Sequence, residues 1–250
     1  MTAKVFTLWS VDGGVGKTTT AVNAAVKTAM MYPDKKVALL DFNLFNPDID
    51  LHLGLSSKDL KYMLDFFLKN EINFENIDKY MLRYEKQKNL QVLTGLYDIN
   101  FFDKFKLEHF TLLLEYLKKM GIDYIFIDVN SSLNIDATFV SVCTCDKLLI
   151  VGEPQYTCIR NINRYLDEAL NKLGITDDKV ELIINRYDSQ LIGKDEINHV
   201  FGKDDITYIN YSKIIKQSIN KSEPFIYSNA KELKKSIASL EQMVQRITSE

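Results

Sequence analysis

The sequence is poor in cysteine and histidine. It has three cysteines, Cys143, Cys145 and Cys158, and three histidines among 250 residues. An odd number of cysteines, two of them in a Cys-x-Cys pair, is not typical of a disulfide framework and fits a reducing compartment. Metal ligation by cysteine would need more cysteines or histidines nearby. We therefore interpret the three cysteines as packing residues.

Long apolar runs and a strong excess of one charge are also missing. No uninterrupted apolar run approaches the ~20 residues of a membrane-spanning helix, and the residues after Met1 lack the pattern of a secretory signal peptide. The formal net charge is -3, whereas proteins that coat nucleic acids usually carry a basic surface. The sequence therefore predicts a cytoplasmic protein without an integral membrane segment, and it makes DNA binding the less favoured alternative.

Short apolar runs alternate with helical patterns along the chain. Most of these runs are continuous, which is typical of strands that helices cover on both faces. We predict strands at Val5–Ser10, Lys36–Asp41, Leu90–Leu93, Tyr124–Asp128, Lys147–Val151, Val180–Asn185 and Ile206–Ile209. We predict helices at Lys17–Met31, Lys58–Lys69, Lys106–Met120, Ile135–Cys143, Ile159–Leu173, Ile192–Phe201 and Ala230–Ile247. This order predicts a single α/β domain over residues 1–250, with a mostly parallel, doubly wound sheet flanked by helices.

The most informative motif lies between the first strand and the first helix, and it reads Asp12-Gly13-Gly14-Val15-Gly16-Lys17-Thr18-Thr19. Its glycines let the backbone adopt positive φ and approach a ligand closely. Backbone N–H groups and the positive end of the helix dipole then converge on phosphate oxygens. We expect Lys17 to reach the β- and γ-phosphates of ATP and Thr18 to offer its hydroxyl to Mg²⁺. Val11 stands where the general motif has another glycine.

Two acids end predicted strands and accompany this loop. Asp128 follows the apolar run Tyr124–Ile127, which is the form taken by the carboxylate that holds the water shell of the metal. Asp41 ends the run Val37–Leu40 in the same way. Ligands of open α/β sheets bind at the carboxyl edge of the strands. The sequence therefore places both acids beside the glycine loop.

The glycine loop, with Val22-Asn23-Ala24-Ala25 after it, resembles the deviant Walker A motif of the ParA/MinD ATPases. The match continues in order over nearly the whole chain, with Asp41-Phe42-Asn43 similar to the first switch and Asp128 similar to the Walker B acid. The resemblance implies a P-loop fold that binds ATP and Mg²⁺ and forms a homodimer. It implies catalytic roles for Lys17, Asp41 and Asn43, and metal binding by Thr18 and Asp128. It implies that the nucleotide is bound by Gly13, Gly14, Val15, Gly16, Lys17, Thr18 and Thr19, with Asn185 and Arg186 at the adenine.

Within this family, three stretches are similar to the CpaE/TadZ group of pilus-assembly proteins: Leu44–Leu55, Leu90–Gly95 and Asn185–Asp188. This similarity implies a nucleotide-dependent switch or scaffold whose partner is a pilus or secretion machine at the cell pole or inner membrane. Pilus-branch relatives often have an N-terminal receiver-like domain, which we expect to be absent here or cut away. A partitioning ATPase for plasmids or chromosomes is the first alternative. A phosphotransferase with a substrate site in Lys58–Lys88 is the second.

Two departures from the family pattern affect the expected chemistry. Asp12 replaces the signature lysine that reaches the partner's phosphates in the ATP-bound dimer. One charge pair near 4 Å is worth about 4 kcal/mol at an effective dielectric of 20, and here its sign is unfavourable. Asn43 replaces the second acid of the first switch, and an amide accepts no proton from an attacking water. We therefore expect ATP binding with slow or absent hydrolysis.

Overall fold

Eight strands form one sheet in the computed structural model, which describes residues 3–56, 76–95 and 104–249. The strand order is β3-β4-β2-β5-β1-β6-β7-β8, and β3 is the strand that pairs antiparallel to its neighbour. The strands are β1 (Lys4–Trp9), β2 (Val37–Phe42), β3 (Leu82–Arg83), β4 (Leu90–Leu93), β5 (Tyr124–Val129), β6 (Lys147–Gly152), β7 (Val180–Tyr187) and β8 (Thr207–Asn210). The predicted α/β fold with a mostly parallel sheet is confirmed.

Helices cover both faces of this sheet. The α-helices of the described residues are α1 (Lys17–Met31), α2 (Ile49–Leu53), α3 (Leu107–Lys119), α4 (Asp136–Thr144), α5 (Tyr156–Tyr165), α6 (Lys194–Phe201), α7 (Lys213–Asn220) and α8 (Lys234–Ser249). The predicted helix at Lys58–Lys69 lies outside the described residues. None of the helices within the described ranges combines the length and hydropathy that a membrane crossing requires.

The central strands are buried on both faces, as their continuous apolar runs predict. On one face Phe6 packs against Phe126, with ring centroids 4.9 Å apart. On the other face Trp9 and Leu40 join a second apolar cluster. Each fully buried side chain of this size contributes roughly 1.5–3 kcal/mol relative to an exposed one. The two clusters hold β1, β2 and β5 at the centre of the sheet.

The parallel register brings the predicted acids to one edge of the sheet. Asp41 pairs in register with Asp128 across β2 and β5, and Leu8 near the end of β1 pairs with the same Asp128. The glycine loop follows β1 directly. The expected meeting of the loop and both acids at the carboxyl edge of the sheet is therefore confirmed.

The sequence pattern misses the short elements and misplaces some boundaries. The helix α2 spans five residues, too few turns for an apolar period to be recognised. The eight-residue helix α7 was also not predicted. The helix predicted from Ile159 begins earlier, at Tyr156, because the turn after Pro154 already leads into it. The α-helix ends at Tyr165. A π-helical turn and then a 3₁₀ turn follow, and the helical segment ends at Gly174, which has a φ of 75°.

Candidate functional site

The glycine loop between β1 and α1 has a backbone that few other residues would permit. Gly14 and Gly16 have φ angles of 76° and 94°, in the left-handed region. A Cβ atom on Gly16 would also lie 2.2 Å from the Nδ2 atom of Asn185. Val15 points the other way and packs into the core beneath the loop. The loop is therefore fixed in one shape by its glycines above and its valine below.

A cavity of about 450 Å³ lies over this loop. Its volume falls within the range of about 300–1,000 Å³ that is typical of small-molecule sites. The described residues that line it are Gly13, Gly14, Gly16, Lys17, Thr18, Thr19, Asn43, Asn46, Asp48, His52, Asn130, Ser131 and Arg186. The structure thus brings together most of the residues predicted from the sequence. Asn46, Asp48, His52, Asn130 and Ser131 are additions that the motifs did not reveal.

Lys17 lies at the floor of the cavity and is 9% exposed. Its Nζ donates to the hydroxyls of Ser10 and Ser131, at 2.9 and 3.0 Å. Burial lowers the pKa of Lys17, and the nearby charge of Asp128 opposes that shift. Two neutral hydroxyls are weaker partners for an ammonium group than phosphate oxygens are. The lysine is therefore held in place and can exchange these partners for an anion.

Asp128 is fully buried beneath Thr18. Its Oδ2 accepts a hydrogen bond from Thr18 Oγ1 at 2.5 Å, while its Oδ1 has no hydrogen-bond partner among the described residues. Burial raises the pKa of Asp128 to about 7, although Thr18 and Lys17 act to lower it. An unsatisfied buried oxygen is costly, and Mg²⁺ with its water shell is a suitable partner for it. Thr18 and Asp128 thus fit the predicted metal site.

Asp41 closes a turn beneath the cavity. Its Oδ2 accepts from the backbone N–H groups of Asp48 and Ile49, at 3.0 and 3.1 Å, and its Oδ1 accepts from that of Asn43 at 3.2 Å. Burial and then the charge of Asp128 raise the pKa of Asp41 well above its ordinary value, against the effect of these N–H groups. The structure places this predicted catalytic residue below the residues that line the cavity, where it orders the segment between β2 and α2.

Asn43 lies on the cavity wall, as predicted, but both ends of its amide are engaged. Its Nδ2 donates to the carbonyl of Asn46 at 2.8 Å, and its Oδ1 accepts from Asn130 Nδ2 at 3.3 Å. Asn130 thereby ties the end of β5 to the segment that follows β2. The amide network orders the cavity wall without supplying a group that can take a proton.

A much narrower cleft continues from the cavity past the end of β7. Its volume is about 40 Å³, and it lies between Arg186 and the residues Tyr211, Ile215 and Ile219. Asn185 also lines it, and its Nδ2 donates to the carbonyl of Val15 at 2.7 Å. The amide nitrogen expected at the adenine is therefore bound to the glycine loop. The adenine role of Asn185 and Arg186 stays a prediction.

Asp12 is directed away from the cavity, and it is not among the described residues that line it. Its backbone carbonyl accepts from the hydroxyls of Ser10 and Ser131, at 2.5 and 3.2 Å. Its carboxylate contacts the Cys158 thiol in α5. Burial first and this contact second raise the pKa of Cys158 to about 12. The anion at the signature position is thus kept at the side of the loop.

A glycine loop between a buried strand and a helix, a lysine and threonine at its end, and an acid on the adjacent strand together define a P-loop nucleotide-binding protein. Comparison with known families makes this more specific. The family described as AAA domain (AAA_31) matches residues 3–182. The chain belongs to this family, and its MinD relatives place it in the predicted ParA/MinD group. The CpaE/TadZ branch stays a prediction.

The relatives cover most of the chain. It is 32% identical over 203 residues to the septum site-determining protein MinD of Helicobacter pylori, covering 78% of this chain and 71% of that protein. With a MinD relative from Oltmannsiellopsis viridis it shares 30% identity over 200 residues, but only 60% of that protein is spanned. The solved structure of septum site-determining protein MinD from Pyrococcus horikoshii, complexed with Mg-ADP, has a TM-score of 0.78 at 20% identity. That match covers 98% of this chain and 96% of the other.

Proposed function

We propose that this chain binds ATP with Mg²⁺ on its P-loop and acts as a nucleotide-dependent switch or scaffold that positions a partner assembly, with slow or absent hydrolysis. The observation that carries the proposal is the state of two buried ionisable groups at the floor of the cavity. The described hydrogen bonds of Lys17 Nζ go to two neutral hydroxyls, and Asp128 has one oxygen without a described partner. A phosphate chain with its metal satisfies both groups at once.

The residues of the P-loop would divide the work of binding between them. The N-terminus of α1, which is 15 residues long, adds the positive end of its dipole to the loop N–H groups. Lys17 exchanges two hydroxyls for phosphate oxygens, and charge-assisted hydrogen bonds of this kind are worth roughly 1.5–3 kcal/mol each. Thr18 stays between the ligand and Asp128. When bound, Mg²⁺ neutralises part of the phosphate charge.

Slow hydrolysis follows from the chemistry of the cavity wall. Asn43 stands where the resemblance places the acid that positions the attacking water, and its amide already bonds Asn46 and Asn130. A positioned general base contributes about 10²–10⁴-fold to rate. Replacing Asn43 with aspartate should therefore raise phosphate release at least tenfold without tighter ATP binding. Ordinary turnover in the unaltered protein would contradict the proposal of slow hydrolysis.

The switch would be the segment from Asn43 to α2. Asn43, Asn46 and Asp48 line the cavity, while Asp41 holds the segment through backbone N–H groups. A helix as short as α2, with five residues, has little stability of its own. Contacts between a ligand and this wall could therefore reorder α2. Reordering of a segment by phosphate contacts is a common way in which a protein presents a new surface to a partner.

The pathway is proposed from the relatives and the resemblance. The Helicobacter pylori relative is described as a septum site-determining protein, which supports a role in positioning. The stretches similar to CpaE/TadZ proteins favour a pilus or secretion machine as the partner. We propose a homodimer in the cytoplasm, peripheral to the inner membrane or at the pole. The partitioning alternative predicts ATP-dependent, salt-sensitive DNA binding, which the net charge of -3 disfavours.

The test is the mass of the protein in solution with ATP, with ADP and without nucleotide, each with Mg²⁺. The proposal predicts binding of both nucleotides and a change of mass with ATP alone. The Asp12→Lys variant should strengthen ATP-dependent dimerisation, since it restores the cation of the family. An unchanged mass in all three states for both proteins would contradict the switch, and an absence of binding would contradict the whole proposal.

A further inference from the structure

Arg186 has an unusual backbone. Its φ is 52°, and within the described chain the only other non-glycine residue with a positive φ is Ser222. A bulky residue in this region costs of order 1–3 kcal/mol, and such residues cluster at ligand sites. Arg186 also lies in an irregularity between β7 and β8, where the pairing register shifts between Ile184 and Tyr187. Bulges beside sites redirect side chains, so the end of β7 holds this arginine in a particular direction.

The side chain of Arg186 lies where the two parts of the site meet. It lines both the 450 Å³ cavity over the glycine loop and the 40 Å³ cleft beside it. Among the described residues that line the larger cavity, the lysine and arginine side chains are those of Lys17 and Arg186. Lys17 is at the floor and Arg186 at the border with the cleft. A phosphate chain that leaves the floor toward the cleft passes Arg186 with the phosphates nearest the base.

Glu153 is the counter-ion of Arg186. It follows β6, the neighbour of β7 in the sheet, and its Oε1 forms an ion pair with Arg186 Nη1. Its Oε2 accepts from Gln155 Nε2 at 3.1 Å. The glutamate side chain is 15% exposed and the arginine side chain 43% exposed. Glu153 is therefore fixed in place, while Arg186 remains open to solvent on the side of the cavity.

The small number of cations in the site makes the ion pair between Arg186 and Glu153 important for nucleotide binding. With Asp12 at the signature position, the loop lacks the additional lysine of the family. In the larger cavity, a nucleotide di- or triphosphate then meets one buried cation, Lys17, and one cation that is already paired with Glu153. Lys216 lines the narrow cleft. A guanidinium presents several N–H donors in a planar fork suited to phosphate oxygens, and the half-exposed side of Arg186 leaves room for phosphate oxygens to compete with Glu153 for these donors.

We propose that Arg186 binds the phosphates nearest the base, and that Glu153 competes with the nucleotide for this arginine. This inference rests on the proposed nucleotide binding. It differs from the adenine contact implied by the family resemblance, since here Arg186 acts on the phosphate chain. Glu153 acts as a positioning residue. It holds Arg186 in the ligand-free protein and thereby lowers the affinity of the site for the nucleotide.

The test is a double-mutant cycle on ATP and ADP affinity, measured by calorimetry with Mg²⁺. Arg186→Gln should weaken both nucleotides about tenfold and by the same factor, because both contain the phosphates nearest the base. Glu153→Gln should tighten both about threefold. In the Arg186→Gln background, Glu153→Gln should produce no further gain. Arg186→Gly fits the φ of 52°, so it should lose affinity while keeping the backbone, which separates binding from folding.

Arg160→Gln is the matched control, since Arg160 is exposed on α5 and bonds Asn161. It removes the same charge and should leave affinity unchanged. The proposal is overturned if Arg186→Gln binds normally, if it weakens ATP alone, or if the gain from Glu153→Gln persists without the arginine. An unaltered protein that binds neither nucleotide overturns the proposed function and this inference together. Normal binding with an unchanged Arg186→Gln overturns this inference alone.

Discussion

The phosphate end and the base end of the candidate site differ in how ready they are for a ligand. The cavity over the glycine loop measures about 450 Å³ and the cleft beyond Arg186 about 40 Å³. At the phosphate end, Lys17 and Asp128 have partners that a ligand can replace or supplement. At the base end, Asn185 bonds the loop and Arg186 bonds Glu153. For the proposed nucleotide, this difference favours a preformed site for the phosphates and a rearrangement on binding of the base.

The largest expected effect concerns the buried charge of the phosphate end. Without metal and ligand, the Asp128 carboxyl of the folded protein keeps its proton up to about pH 7, whereas its ordinary pKa is 3.8. Its contribution to stability is therefore present at low pH and is lost as the pH rises through about 7. Asp128→Asn should remove this part of the pH dependence, although the raised pKa of Asp41 leaves a further part, and it should stabilise the metal-free protein at pH 8 by up to about 4 kcal/mol, with little effect near pH 4.

Denaturant unfolding in EDTA from pH 4 to pH 8 measures this difference. The curves of the two proteins should diverge above pH 5. If the free energies of unfolding of the two proteins change in parallel with pH, the ionised Asp128 does not destabilise the ligand-free protein. The same variant should lose the effect of Mg²⁺ on nucleotide affinity.

The next largest effect concerns Lys17 at the phosphate end. Lys17→Met should weaken ATP about 100-fold, since it removes the cation that would bond two phosphate oxygens. Lys27→Met is the control on the same helix, because Lys27 pairs with Glu241 on α8 and lies outside the described lining of the cavity. Calorimetry on both variants measures the effect. Equal losses would mean that the overall charge, and not the position of Lys17, governs affinity.

A smaller effect tests the coupling between the two ends. Asn185→Ala removes the 2.7 Å hydrogen bond to the Val15 carbonyl and should weaken ATP about tenfold by loosening the glycine loop. Asn89→Ala removes a side chain that bonds three carbonyls around the end of α1, those of Ala29, Tyr32 and Lys35. It should lower the melting temperature without changing ATP affinity. If Asn185→Ala also lowers the melting temperature without changing ATP affinity, the base end does not affect binding at the phosphate end.

The smallest effect concerns the width of the cleft. Ile219 lines the narrow cleft together with Ile215, so Ile219→Ala enlarges the space available to a base. We expect ATP to bind about threefold more tightly, because less rearrangement is needed. Tripolyphosphate should bind the variant and the unaltered protein equally. A loss of ATP affinity would mean that Ile219 contacts the base and that the cleft is already formed.

The same contrast explains what the sequence could predict. The phosphate end is built from consecutive residues, Asp12–Thr19, and from acids that end apolar strands, so motif and strand pattern were sufficient. Asp41 and Asp128 were found in this way, and the parallel register confirms their meeting. Asn130 and Ser131 follow Asp128 closely in the sequence, but no motif marked them as members of the site. Their partners were not visible, because hydrogen bonds across more than 80 residues have no local signal.

The side-chain partners at the base end could not be predicted, for a physical reason. Asn185 and Glu153 act through side-chain contacts between the ends of separate strands. The amino-acid sequence does not show which of several neighbouring groups a side chain contacts. Asn185 lies against Gly16 because that glycine has no Cβ, a fit that requires the folded loop. The fold itself depends on apolar periodicity in long elements. It was predicted except for α7 and for α2 and β3, which are too short to show a period.

The most direct test of the preformed phosphate end is calorimetry of the unaltered protein with Mg²⁺ and three ligands: ATP, tripolyphosphate and adenosine. The account predicts that tripolyphosphate binds within about 100-fold of ATP and competes with it, while adenosine binds at least 100-fold more weakly than tripolyphosphate. Adenosine that binds more tightly than tripolyphosphate, or a protein that binds neither ATP nor tripolyphosphate, would contradict it.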